Sequence, residues 1–234
     1  MDGYSAAQVR AAERPLLDAG EPLMARAAAG LAAEVRRRLR GLLDGAGRTD
    51  AGHVLLLVGS GSNGGDALFA GAELAAEGVR VTSVALGSRV HEGGSAAATS
   101  AGVAPSPADG WLDPATARAR LRGVDVVVDG ILGTGTGADP ALRGTAAEVV
   151  AAVLPALAED AAPVVVACDL PSGTGPDDGA VPSPLVLPAT VTVTFGAAKA
   201  GLLLPPARDL VGELVVVDIG LGPQLAGQEP LVRT

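Results

Sequence analysis

The chain has 234 residues, 48% of them hydrophobic, which fits one sizeable α/β domain with a substantial core. Only 2% are aromatic, so that core must be built from Ala, Val and Leu. A formal charge of −9 and a pI of about 4.7 argue against a nucleic-acid surface, and the single cysteine, Cys168, excludes an intramolecular disulfide and a cysteine zinc site. Cys168 sits in an apolar run, and only His53 and His91 could serve it as imidazole partners, so an inert buried thiol is expected. Met1–Ser5 lacks the basic and apolar segments of a signal peptide, and no apolar stretch is long enough to cross a bilayer. The expectation is a soluble cytoplasmic protein with no membrane and no nucleic acid as partner.

Ser5 and Gln8 have capping-box spacing and predict a helix running toward Gly20, with Pro15 as a kink or break. Pro22 suits a first helical position and predicts a second helix to about Leu43, whose Arg36, Arg37, Arg38 and Arg40 read as a solvated helix end. Residues 41–52 form a polar connection. His53–Val58 is apolar throughout, as in a strand buried on both faces. It runs into Gly59, Gly61, Gly64 and Gly65 and then a helix to Gly78. Val79–Leu86 is a second strand. Residues 87–112 are ambiguous, with a short helix over Ser95–Ala101. Asp113-Pro114 caps a helix to Arg122, and Val124–Val128 is a strand ending at Asp129. Asp139-Pro140 opens a helix through Leu157, and Pro163–Cys168 is a strand ending at Asp169. Ala189–Thr194 and Leu214–Ile219 are further strands.

Alternating β and α segments predict a Rossmann-like, three-layer α/β/α sandwich with a mostly parallel central sheet. No linker divides the chain, so one domain is expected over 1–234, with a helical lead-in over 1–50 and the core over 51–234. In such a sheet ligands bind beyond the carboxyl ends of the strands. Three strands end in polar, Gly-containing loops, 59–66, 129–139 and 169–175, and these should converge on one rim.

The first loop is a strand, Gly-rich turn and helix, which aims backbone N–H groups at an anion. Gly59, Gly61 and Gly64 satisfy the spacing of the dinucleotide fingerprint, but the second strand ends in Gly87-Ser88-Arg89, without the acidic residue that holds a ribose. That weakens the reading as a nicotinamide-dependent oxidoreductase. A P-loop is excluded because no Lys is present there. Asp129 and Asp169 are strand-end carboxylates, the first followed by Gly133, Gly135 and Gly137, the second by a Pro-stiffened turn.

The loop Gly59-Ser-Gly-Ser-Asn-Gly-Gly-Asp66 resembles that of the NAD(P)H-hydrate epimerases, the YjeF amino-terminal domain. Asp129-Gly-Ile-Leu-Gly-Thr-Gly, Asp169-Leu-Pro-Ser-Gly and Thr192-Val-Thr-Phe-Gly-Ala-Ala-Lys-Ala-Gly201 are similar to later motifs of that family, in order. The lead-in with Glu13, Gly20, Leu23 and Met24 follows it too. Two departures stand out: Ser62 replaces an Asn, and Ala25 replaces a Glu.

The resemblance implies an isomerase that interconverts the R and S epimers of NADHX and NADPHX in nicotinamide cofactor repair. It implies substrate binding by Ser62, Asn63, Gly64, Gly65 and Asp66, and by Gly133, Thr134, Gly135, Thr136, Gly137, Ala138 and Asp139. Asp169 would bind the substrate and be the catalytic acid/base. Asn63, Asp129 and Ser172 would hold a potassium ion, an all-oxygen set suited to a hard cation. It also implies a partner, the ATP- or ADP-dependent NAD(P)H-hydrate dehydratase on a separate chain, and is compatible with a homodimer. The competing reading is a non-catalytic nucleotide-binding or scaffold module of the same fold. Such a module has no need of Asp169 or Asn63, and this chain keeps both. Lys199, the only lysine, is expected near the same rim, steering phosphates or holding a site carboxylate.

Overall fold

The structure, a computed structural model, describes residues 1–135 and 139–234. Its frame is a seven-stranded sheet in which every pairing is parallel. The strands are β2 (His53–Val58), β3 (Arg80–Ala85), β4 (Ser106–Pro107), β5 (Val126–Gly130), β6 (Val164–Cys168), β7 (Val191–Phe195) and β9 (Glu213–Val217). Their spatial order is β4-β3-β2-β5-β6-β7-β9. The chain therefore builds outward from β2 to one edge and then returns to build outward from β5 to the other. The reversal between β2 and β5 opens a crevice at their carboxyl ends.

Alternation along β2 explains the layers. Val54, Leu56 and Val58 pack into one cluster with Leu31, Val35, Leu68 and Leu74 of α2 (Leu23–Gly45) and α3 (Ser62–Ala76). Leu55 and Leu57 point the other way, to Val149, Val153 and Ala117 of α6 (Gly144–Leu157) and α5 (Pro114–Leu121). With both faces covered, β2 has no polar position, as its sequence requires.

The lead-in differs from the helical expectation. It opens with a strand, β1 (Asp2–Tyr4), which pairs in parallel with β8 (Ala198–Lys199) and antiparallel with β10 (Val232–Arg233). The capping box then forms: Gln8 N donates to Ser5 Oγ at 3.1 Å and Ser5 N to Gln8 Oε1 at 2.8 Å. Helix α1 (Ala6–Asp18) runs through Pro15 without ending there. Of the four arginines near the end of α2, Arg37 and Arg40 are exposed as expected, whereas Arg36 and Arg38 are partly buried and tied down. Arg36 bonds Glu73 of α3 at 2.8 Å and Glu77, the residue just past its end, at 2.7 Å, and Arg38 bonds buried Glu34 at 2.6 Å and reaches Glu213.

The ambiguous region contains α4 (Glu92–Ser100), capped by the His91 side chain, then β4 and a short 3-10 turn at Ala108–Trp111. A two-residue edge strand containing a proline leaves little trace in sequence. Helix α6 begins at Gly144, not at Asp139. Asp139 Oδ1 instead accepts Ala141 N at 3.0 Å, and Gly144 has φ +53, a left-handed conformation that separates the turn from the helix. A last short helix, α7 (Gly222–Leu225), follows β9.

Candidate functional site

The three strand-end loops meet as expected, over a cavity of about 720 Å³. Parallel pairing sets β2, β5 and β6 side by side, so their carboxyl ends open onto one rim. Gly59 is what lets the first two loops touch. Its N–H donates to Gly130 O at 3.0 Å, and a Cβ there would stand 1.8 Å from Ile131 O.

From the first loop, Ser62, Asn63 and Asp66 line the cavity; Gly64 and Gly65 do not. Gly64 is buried against Gly59 O, and Gly65 packs on the His91 ring. The second loop contributes Gly133, Thr134, Gly135 and Asp139. Thr136, Gly137 and Ala138 lie outside the described residues. Asp169 enters from the end of β6, at φ +68 and anchored by its N–H on Val193 O at 2.7 Å. A non-glycine residue in that region is uncommon and points a side chain where an extended strand would not.

Asn63, Asp129 and Ser172 are brought together beneath the cavity around the carbonyl of Leu132. Asp129 is completely buried. Its Oδ1 accepts Ser172 Oγ at 2.6 Å, and its Oδ2 accepts Ser172 N at 2.9 Å. Ser172 Oγ in turn accepts Leu132 N at 2.8 Å, while Asn63 Nδ2 donates to Leu132 O at 2.9 Å. Burial raises the Asp129 carboxyl above its ordinary range, with the Ser172 bonds pulling the other way. Among the described residues no cationic side chain pairs with it. A buried carboxylate served only by neutral donors, beside amide, hydroxyl and carbonyl oxygens, fits a hard monovalent or divalent cation.

Lys199 is not a surface lysine: it lines the same cavity, as expected, and holds a site carboxylate from a buried position. It is 2% exposed, and its Nζ donates to Asp169 Oδ1, to Thr194 Oγ1 at 3.0 Å and to Phe195 O at 3.0 Å. Thr194 Oγ1 also donates to Asp169 Oδ1, at 3.1 Å. Asp169 is thus locked by a buried ion pair, and the family-like segment around Phe195 and Gly201 exists to deliver that ammonium. Cys168, next to Asp169, is fully buried, and burial pushes its thiol well up, as an inert cysteine requires.

Sequence reasoning missed the contribution of α1. Glu13 and Arg10 line the cavity, and Arg10 Nη1 donates to Thr134 O at 3.0 Å, joining the lead-in to the second loop. Burial, with Asp169 adding to it, raises the Glu13 carboxyl against the pull of Lys199. The only available signal was the place of Glu13 in the lead-in. Of the two departures, Ser62 lines the cavity, whereas Ala25 is exposed on α2 and does not. A second cavity of about 730 Å³, against the small sheet, is lined by Tyr4, Gln228 and Arg233 and holds none of the strand-end carboxylates.

The model of the family described as YjeF-related protein N-terminus matches residues 20–201. A protein of Clavibacter michiganensis subsp. michiganensis named NAD(P)H-hydrate epimerase is 55% identical over 232 residues, covering 99% of this chain and 95% of that one. A protein of the same name from Microbacterium testaceum is 44% identical, covering 98% of this chain and 82% of its own length. The bifunctional NAD(P)H-hydrate repair enzyme Nnr of Escherichia coli is 35% identical over 79% of this chain, which spans 34% of that longer protein. Among solved structures, the crystal structure of yeast ynu0 superposes with a TM-score of 0.69 at 21% identity, covering 86% of this chain and 83% of that one, a likeness of fold. With the family model matched over most of its length, and with full-length relatives at this identity, the chain belongs to the YjeF-related N-terminus family.

Proposed function

We propose that this protein is an NAD(P)H-hydrate epimerase, an isomerase that equilibrates the R and S forms of NADHX and NADPHX without consuming ATP. The observation that carries the proposal is one cavity at the β2/β5 switch point, fed by three strand-end loops, in a chain 55% identical to a protein of that name.

In the substrate, water has added across a dihydronicotinamide double bond, leaving a hydroxyl on the carbon beside the ring nitrogen. That carbon is a hemiaminal. Its hydroxyl leaves with a proton as the nitrogen lone pair forms an iminium, and water returning to the other face inverts the centre. The reaction needs acid/base help at the hydroxyl and a holder for the rest of the molecule. Asp169 is an acid/base group at the reacting carbon, with its orientation fixed by Lys199 and Thr194. Ser62, Asn63, Gly133, Thr134 and Asp139 hold the dinucleotide, using the backbone N–H groups that the first turn of α3 leaves without intrahelical partners. Gly64 and Gly65 serve by shape, letting the first turn of α3 close on Gly59 and on the His91 ring.

Asn63, Asp129 and Ser172 would hold a potassium ion. When bound it supplies a fixed positive charge that relieves the buried Asp129 carboxylate and braces the loops. The partner activity is an ATP- or ADP-dependent dehydratase that consumes one epimer, and both act in the cytoplasm. A homodimer is compatible with this arrangement.

The test is to give purified protein pure R-NADHX and to follow both epimers by chromatography. Equilibration well above the spontaneous rate, with no nucleotide triphosphate present, is expected. Folded protein that gives only the spontaneous rate in potassium buffer would falsify the proposal and favour the non-catalytic binding module.

A further inference from the structure

Asp66 is 8% exposed, lines the cavity, and has its Oδ1 buried with no hydrogen-bond partner among the described residues. A carboxyl oxygen left this way is costly unless the group is protonated or meets a ligand. It projects from the second turn of α3, while Asp169 reaches the same cavity from the end of β6. The surroundings of the two differ. Asp169 receives Lys199 and Thr194; Asp66 receives neither. The charged and titratable groups around Asp66 are Glu13 and, beyond it, Arg10 of α1, Asp169 and Cys168 at the end of β6, Lys199 of β8, and His91 packed on Gly65 at the start of α4. Burial first, then the negative charges of Asp169 and Glu13, push the Asp66 carboxyl up to about 8, against the pull of Lys199. One cavity therefore holds a carboxylic acid at neutral pH and a carboxylate braced by an ammonium. Two carboxyls in one cavity, one without a partner and one paired with an ammonium, can divide the roles of acid and base.

Building on the epimerase reading, we propose that Asp66 is a second catalytic residue, the acid that protonates the leaving hydroxyl while Asp169 is the base for the water adding to the opposite face. In the first half, the Asp66 proton bonds to the hydroxyl oxygen. The C–O bond breaks with its electron pair leaving as water, and the nitrogen lone pair closes the C=N bond. In the second half, a water oxygen bonds to the carbon, the C=N pair returns to nitrogen, and Asp169 takes the proton released. The net change is inversion at carbon with one proton moved from Asp66 to Asp169. Reverse turnover or exchange with solvent through the cavity mouth resets it.

Steady-state epimerisation of R-NADHX across the pH range, by wild type, Asp66→Asn and Glu13→Gln, tests this. Wild-type kcat should fall as pH rises through about 8. Asp66→Asn should lose about 10²- to 10⁴-fold in kcat with KM little changed, and should lose the alkaline limb. Glu13→Gln should move that limb to lower pH, because a negative charge beside Asp66 is gone. A carbon-13 titration of the Asp66 carboxyl in wild type gives a measurement independent of activity and of the variants' folding; a midpoint in the ordinary carboxylate range overturns the proposal. So does an Asp66→Asn enzyme with normal kcat, with a defect only in KM, or with a reduced kcat on an unchanged alkaline limb. A wild type that does not epimerise brings down the epimerase reading itself, whereas an active wild type with an unaffected Asp66→Asn brings down only the assignment of the acid.

Discussion

Asp129 and Asp169 look alike in sequence, each a carboxylate at a strand end, yet their neighbours are opposite in kind. Asp129 is buried among neutral donors, and Asp169 is paired with an ammonium. That difference separates their expected phenotypes. Asp129→Asn should weaken substrate binding in a way that high potassium partly restores, because the change falls on the set that would hold the cation. Asp169→Asn should lower kcat by about 10²- to 10⁴-fold with little change in KM and no rescue by potassium. Removing the Asp169 charge also strands Lys199, a cost of about 3–5 kcal/mol for a broken buried pair, so the comparison belongs at a temperature where the variant stays folded. Steady-state assays of both variants across a potassium titration decide it. A potassium-rescued Asp169→Asn would overturn the assignment of roles.

The loop between β2 and α3 shows how one element mixes folding and binding glycines. A Cβ on Gly59 would meet the backbone of Ile131 at 1.8 Å, and backbone cannot swing away as a side chain can. A Cβ on Gly61 would meet nothing within 4 Å. Gly59→Ala should therefore push β5 away from the first loop and destabilise by at least the ~1–3 kcal/mol typical of overpacking. Gly61→Ala should stay within about 0.5 kcal/mol of wild type. Urea unfolding of the two variants is the measurement; equal stabilities would show that the β2–β5 contact is not where the glycine requirement lies. The four glycines are thus not one anion-binding signature. Gly59, Gly64 and Gly65 are there for close approach, and Gly61 is free to serve a ligand.

Across the whole molecule, the carboxyls that burial raises at the site make stability depend on pH in a defined sense. Asp66 has an ordinary value of 3.8 and is pushed up to about 8 by burial and by Asp169 and Glu13. Between those values the folded protein holds a proton that the unfolded chain has released. Its contribution to stability is therefore fully present below about pH 4 and is lost as pH rises through about 8. Glu13 and Asp129, also raised, act in the same sense. The measurement is denaturant unfolding of wild type and Asp66→Asn at mildly acidic and mildly alkaline pH. Wild type should lose more stability than the variant over that interval, and parallel curves would mean that folded Asp66 carries no proton there.

The sequence by itself determined the repeating strand, loop and helix units, the parallel sheet and the one rim, because these follow from local periodicity and from the sharp ends of apolar runs such as His53–Val58. It also placed the two strand-end carboxylates and brought Lys199 to the site, through motif resemblance. Only the tertiary structure decided which groups face one another there. The pairing of Tyr4 in β1 with Lys199 in β8 joins the lead-in to the segment that carries the ammonium, and no local pattern announces a three-residue strand whose partner lies so far away. That pairing anchors α1, which sets Glu13 beside the cavity. The burial that makes Lys199 a clamp and Asp66 an acid likewise comes from several elements packing at once. Charge is written in the sequence, but desolvation is a property of what surrounds it.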